Sequence, residues 1–451
     1  MKLSRYFGDR NFCLTALAVA LPIMAQNLLT TSFSLVDTLM ISSLGTAELT
    51  AVGQCASWIQ LLNVLLFGIS GAAGVQVAQF WGGQELDKVR RSYGVGLGLC
   101  LLVTVLFAAF TALFPARVMA FYTGDTAVAE AGTRYLRVVA LGFPAFGLQY
   151  TANAALRSTE QVRTPMYGTV VAVLTNIFLN YTLIFGHFGA PRMGMTGAAL
   201  ASCCSNWVGV LVTYGIGIVR RTVLRTTPGQ MLPRGDGFLR RYFKVALPIM
   251  ANELLWGGGT AILNMIYGHM GTREYAAMTI CITLENVITT VFLSLANSAN
   301  VLVGAEIGRG NRDKAYRNAV AISCWTPVIS AVFGILLIVL RHPITAIFHQ
   351  EADVTRLALQ LIVVIGVTLP LRFFQYVQIC GILRAGADGV KAALYDFIGI
   401  WCVSIPAALI GLLTGAPFLW VFLIVTLLDA GVKDVLVLRR FLSKKWMIRI
   451  A

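Results

Sequence analysis

The chain predicts an all-α polytopic membrane protein, with twelve transmembrane helices arranged as two parallel six-helix repeats around a central cleft. Three observations predict it. Of 451 residues 57% are hydrophobic and only 12% are charged, with a mean hydropathy of +0.76, whereas soluble domains carry about 25% charged residues. Apolar stretches of roughly 20 residues, the length that crosses a bilayer, recur along the whole chain. The sequence also repeats itself at a fixed offset of 226 residues. Ala20-Leu21-Pro22-Ile23-Met24-Ala25 returns as Ala246-Leu247-Pro248-Ile249-Met250-Ala251, and Gly45-Thr46 with Glu48 as Gly271-Thr272 with Glu274. Gly82 returns as Gly308, Asp87-Lys88 as Asp313-Lys314, Pro144 as Pro370, and Gln149-Tyr150 as Gln375-Tyr376.

The hydrophobic runs give spans at about 13–43, 50–78, 92–114, 133–156, 163–186, 196–219, 243–268, 275–303, 317–340, 356–383, 391–414 and 417–440. With both termini in the cytoplasm, 27 of the 35 Lys and Arg fall in inside segments, so the positive-inside rule sets the orientation. The net charge of +15 is therefore a topology signal, spread over seven short segments, and predicts no nucleic-acid partner. Residues 1–219 form an N-terminal lobe, 220–241 a basic cytoplasmic linker rich in Pro and Gly, and 242–451 a C-terminal lobe. Because each lobe has an even number of spans, both run the same way through the membrane. Parallel repeats of this kind build carriers whose cleft opens to alternate sides. The protein is expected to act as a monomer in a bacterial plasma membrane, with the bilayer and small organic substrates as its partners.

Other classes are disfavoured. The first apolar run continues past Asp37 without a small-residue cleavage site, so it reads as a retained helix. The nine cysteines lie in apolar runs without a CxxC pair and read as small core residues. His187, His269, His342 and His349 sit at or beyond outer helix ends, leaving no ligand set for a membrane metalloenzyme. There is no GxxxxGK[ST] loop, so an ion gradient, H⁺ or Na⁺, is the expected energy source; no cofactor is expected and the chain is not read as an enzyme.

An ionisable side chain deep in a span costs roughly 2.5–3.5 kcal/mol on insertion scales, which makes each one a functional candidate. Asp37 lies seven residues before Gly45, about 10 Å below the outer helix end at 1.5 Å per residue. It reads either as a coupling carboxylate or as a partly solvated surface group. Asn176 and Asn180 stand at i and i+4 on one helix face. With Asp37 they supply oxygen acceptors and amide donors suited to a proton or Na⁺; alone they are also a packing device between helices. Glu253 follows Pro248 by five residues, opposite Asn27 in the repeat, and either binds substrate or bonds a carbonyl freed by the proline. Trp256 either stacks on a cationic ligand or faces lipid. A further layer comprises Glu285, Asn286, Arg372, Gln375, Gln378 and Asp396, in which Arg372 requires an acid, Asp396 or Glu285. Asp429 and Lys433, at i and i+4, read as a structural ion pair.

These residues in this order resemble the multidrug and toxic compound extrusion (MATE) family. The resemblance rests on Pro22, Asp37 before Gly45-Thr46, the loop Gly82 to Arg91, Leu156-Arg157, Asn176 to Asn180, and Gly189-Ala190-Pro191 running into Gly194-Met195-Thr196-Gly197-Ala198-Ala199. Asn252-Glu253-Leu254-Leu255-Trp256 and Leu383-Arg384-Ala385-Gly386 look like the branch common in Gram-positive bacteria. The resemblance implies export of organic, often cationic compounds in exchange for H⁺ or Na⁺, with Asp37, Asn176 and Asn180 as the coupling group and Glu253 as a second site. Two departures leave the ion open: Gln375 stands where Na⁺-coupled members have an acid, and Asn180 where some H⁺-coupled members have Asp. The alternatives are a lipid-linked glycan flippase of the same superfamily, for which Arg372 is the lone mid-span cation, and a major-facilitator carrier, suggested faintly by Gly83, Asp87 and Arg91.

Overall fold

The computed structural model describes residues 8, 10–42, 44, 46–232, 237–346, 348 and 351–450, with the backbone alone at 33–39, 42, 46, 47, 49 and 272. The described residues form helices and no strand. The first half contains α1 (Arg10–Ser42), α2 (Thr46–Gly82), α3 (Leu86–Leu113), α4 (Pro115–Tyr122), α5 (Thr126–Val139), α6 (Phe143–Ser158), α7 (Arg163–Phe185) and α8 (Gly194–Val219). A short α9 (Pro228–Met231) lies in the linker. The second half contains α10 (Phe238–Met270), α11 (Thr272–Gly308), α12 (Arg312–Val339), α13 (Arg341–Ala346), α14 (Ala352–Val377), α15 (Gly389–Phe397), α16 (Ile405–Leu413) and α17 (Phe418–Leu442).

Nine described helical segments are long and apolar enough to cross a membrane. The other three expected spans are present in interrupted or more polar form. Span 133–156 is α5 and α6, broken by a 3₁₀ turn at Ala140–Gly142 with Pro144 in the first turn of α6, where its missing N–H costs nothing. α5 starts cleanly because Asp125 Oδ1 accepts from the amides of Ala127 (2.8 Å) and Val128 (3.4 Å). α10 carries Glu253 and α17 carries Asp429, Lys433 and Asp434. Large apolar side chains stand exposed on the helices, among them Leu106, Leu174, Leu211 and Val332, as lipid-facing positions require.

The tenth and eleventh spans each continue through a π-helical segment, Gln378–Leu383 after α14 and Ile398–Ser404 between α15 and α16. A π-turn fits an extra residue into the helix. The repeat therefore slips: Leu156-Arg157 corresponds to Leu383-Arg384 at 227 rather than 226. Backbone geometry confirms the new register. Glu160 and Ala387 are both left-handed (φ 63° and 55°), and the bonds Gln161 N to Leu156 O (2.8 Å) and Asp388 N to Leu383 O (3.0 Å) close the same turn.

The chain divides into two compact units. One comprises Met1–Leu21, Ala78–Gln84 and Phe243–Ala451, the other Pro22–Val77 and Glu85–Tyr242. The boundary in α1 falls at Pro22, a helix-interior proline that removes one backbone bond. Within the first unit the ends of α2 and α11 meet at two reciprocal close approaches. A Cβ on Gly82 would lie 2.0 Å from Ala305 O, and one on Gly308 would lie 1.9 Å from Gln79 O, so neither position accepts a side chain. Residues 79 and 305, like 82 and 308, are partners in the repeat.

One expectation needs amendment. Of the nine cysteines, Cys55, Cys100, Cys203 and Cys281 are buried, but Cys402 is exposed and the rest are intermediate, because a lipid-facing surface accepts a weakly polar thiol. In the linker, Leu224 is buried against Tyr93, Ala152, Ala155 and Leu156.

Candidate functional site

In the unit built from Pro22–Val77 and Glu85–Tyr242, α7 carries the predicted amide pair and faces α8. Asn176 and Asn180 are both buried, and one helical turn brings Asn180 Nδ2 to donate to Asn176 Oδ1 at 2.6 Å. Asn176 Nδ2 faces the hydroxyls of Ser202 (3.3 Å) and Ser205 (3.4 Å) on α8. The cluster offers amide and hydroxyl oxygens without charge, and a carboxylate added to such a set raises its affinity for a hard cation. The candidate carboxylate, Asp37, is on the α1 backbone but its side chain lies outside the described residues.

The same unit holds a group that sequence reasoning missed. Arg157 Nη2 donates to Gln26 Oε1 at 2.5 Å, and Gln26 Nε2 donates to Thr169 Oγ1 at 2.9 Å. Gln26 is 3% exposed, so this guanidinium reaches a buried partner, although Arg157 is among the 27 Lys and Arg that the sequence places in cytoplasmic segments.

In the other unit, the predicted candidates fall in three ion-paired groups. Glu253 on α10 pairs with Arg384, just past the first π-segment, at 2.5 Å, and both side chains are at least nine-tenths buried. This replaces the bond to a proline-freed carbonyl that was one reading of Glu253. Arg372 on α14 pairs with Glu285 on α11, which settles the choice left open between Glu285 and Asp396. Asp396 instead faces Lys433, at 3.3 Å, and Lys433 also contacts Asp429 at 3.0 Å. Asp429 further accepts from Gln375 Nε2 (3.2 Å) and Ser404 Oγ (3.2 Å). The expected Asp429–Lys433 pair is thus one side of a five-residue network that includes Asp396 and Gln375. Gln378 donates to Ser323 Oγ at 2.7 Å, away from that network. Trp256 is 45% exposed on α10. The structure places Glu253, Glu285 with Arg372, and Asp396 with Gln375 in three separate contacts within this unit.

Gln26 and Ser404 escaped the sequence reading, and Arg384 entered it only within a branch motif, for one reason: each is a common residue whose role depends on the residue opposite. A usable signal existed, since Leu-Arg ends the fourth span of each half.

A family model, MatE, matches residues 22–182 and again 248–410. The two matches start 226 residues apart and end 228 apart, as two π-insertions require. Over 442 residues the chain is 27% identical to "Probable multidrug resistance protein NorM" of Thermotoga maritima, covering 95% of this chain and 92% of that protein. It is 24% identical to "Uncharacterized transporter YisQ" of Bacillus subtilis over 447 residues, 98% of this chain and 96% of the relative. Among solved structures, a MATE protein in complex with MaL6 superposes with TM-score 0.87 at 18% identity, over 98% of this chain and 99% of that one. A MOP superfamily transporter from Pyrococcus furiosus, described as having a binding pocket of reverse polarity, gives 0.86 at 18% identity over 98% of each chain.

Proposed function

The chain belongs to the MatE family of multi-pass membrane transporters, and from that membership we propose that it is a secondary active antiporter exporting organic, amphiphilic, cationic compounds in exchange for H⁺ or Na⁺. The observation that carries this reading is that one family unit occurs twice, from Pro22 and from Pro248, once in each six-helix half. A duplicated parallel bundle is the architecture of alternating access. The name of the Thermotoga relative, a multidrug resistance protein, supports the substrate class.

In this reading Asp37, Asn176 and Asn180 hold the coupling ion: the buried amide and hydroxyl oxygens orient it and Asp37 supplies the charge. Glu253 attracts the cationic substrate, and Trp256 offers an aromatic face. Loading of the ion favours one access state, and substrate favours the other, since a ligand shifts an equilibrium only by its differential affinity. Glu285, Arg372, Gln375 and Asp396 shape the second half. Both termini are cytoplasmic and the membrane is the bacterial plasma membrane, where export serves the cell.

Purified protein in proteoliposomes loaded with a fluorescent organic cation tests this. Transport driven by an imposed pH gradient or an imposed Na⁺ gradient is expected; no transport under either gradient, across several cations, rejects it.

A further inference from the structure

The strongest unexplained feature lies beyond the last span. After α17 the chain turns at Lys444, whose backbone is left-handed (φ 57°), and residues 444–450 fold back onto the turn that follows the first π-segment. Trp446 is fully buried, stacks on Phe441 (5.9 Å) and donates its indole N–H to Phe441 O (3.2 Å). Ile448 N donates to Gly386 O at 3.0 Å. The approach is so close that a Cβ on Gly386 would lie 2.1 Å from Trp446 O. Gln79 ties both strands of this contact: its Nε2 donates to Ala385 O (2.7 Å) and Ile448 O (3.1 Å), and its Oε1 accepts from Ile450 N (2.8 Å). Arg440 completes the clamp by pairing with Asp388 at 2.6 Å and donating to Lys445 O at 3.2 Å.

The clamped turn, 384–388, begins with Arg384, whose guanidinium lies on Glu253. Arg384 Nε makes no hydrogen bond and the residue is 4% exposed, so apart from the carboxylate its place is set by packing and by its backbone. Its position is inherited from the backbone on which it stands. A cation reaching Glu253 meets a carboxylate already occupied by a resident cation.

We propose that Arg384 is a specificity-determining counter-ion for Glu253, and that the C-terminal segment 444–450, with Gln79, is the latch that positions it. The proposal rests on Glu253 being the substrate-binding acid. A firmly held Arg384 lowers the affinity of Glu253 for organic cations and selects those able to displace a guanidinium. Loosening the latch frees the carboxylate. Gln79, Gly386 and Trp446 are positioning residues in this scheme, because they act through Arg384.

The test uses full-length protein in proteoliposomes, with a fluorescent monovalent organic cation and its uncharged isostere as probes. Trp446→Ala and Gln79→Ala are expected to lower KM for the cation by about fivefold, the scale of a modest coupling between sites, with kcat and the KM of the uncharged probe unchanged. Trp446→Phe, which keeps the buried ring, is expected to restore the native KM. In a Glu253→Gln background the latch substitutions should change nothing. Equal changes for both probes, or equal changes with and without Glu253, overturn the proposal. Infrared difference spectra between native protein and Glu253→Gln isolate the Glu253 carboxylate band, and Trp446→Ala should shift that band. If Glu253→Gln leaves cation KM at its native value, the substrate role of Glu253 fails, and a shifted band still identifies the latch. An unshifted band overturns the latch itself.

Discussion

The two halves share a scaffold and differ in how they hold buried charge. In the first half, the described contacts of the candidate amides are amide to amide and amide to hydroxyl, and Arg157 rests on the neutral Gln26. In the second half the corresponding arginine, Arg384, rests on Glu253, and Lys433 is set between Asp396 and Asp429. The partners are almost in register: Gln26 is one position before Asn27, the repeat mate of Glu253. At these positions one copy of the repeated bundle has neutral partners and the other has compensated ion pairs. A neutral cluster can accept an added cation without first losing one; a compensated pair cannot.

This difference predicts unequal costs of mutation. Breaking a buried pair leaves a charge without compensation and costs about 3–5 kcal/mol, whereas a buried neutral hydrogen bond contributes about 0.5–1.5 kcal/mol. Lys433→Met, which strands two carboxylates, should give the largest effect, a loss of about 3–5 kcal/mol. Thermal unfolding in detergent checks it, and restoration by Lys433→Met with Asp396→Asn and Asp429→Asn would tie the loss to charge. Arg372→Met should destabilise less, because Arg372 and Glu285 are 28% and 22% exposed and part of the charge remains solvated. Ser202→Ala in the amide cluster should cost only about 1 kcal/mol, visible as a small shift in the unfolding midpoint. Trp256→Ala should leave stability unchanged, since the ring is 45% exposed, and weaken binding of an aromatic cation alone. Equal losses for Lys433→Met and Ser202→Ala would erase the distinction between the halves.

Much of the architecture was legible in the sequence because it depends on local patterns. Apolar length gave the spans, and Pro22 with Pro248 and Gly82 with Gly308 gave the repeat, since those residue types are tied to backbone geometry. The π-segments were not legible. No residue type marks an extra residue in a helix, and the last matched pair, Gln375-Tyr376, precedes the first π-segment. The amide pair Asn176 and Asn180 was read correctly as sharing a face, because its spacing is local. The local pair Asp429–Lys433 was legible too, and Glu285 was one of two partners named for Arg372, but the pairing of Glu253 with Arg384 was not, because they meet only through the fold. Positive residues also misled: the charge rule counts Arg157 and Arg384 as loop charges, while both are engaged inside their bundles.

The most direct measurement compares Asp37→Asn with Glu253→Gln in the same proteoliposome assay, under imposed pH and Na⁺ gradients. A division of labour between a neutral ion-accepting half and a charge-compensated substrate half predicts that Asp37→Asn abolishes gradient-driven transport. It predicts that Glu253→Gln keeps gradient dependence and changes KM for cations. Gradient-driven efflux that survives Asp37→Asn unchanged, or gradient dependence lost in Glu253→Gln with KM unaltered, would contradict it.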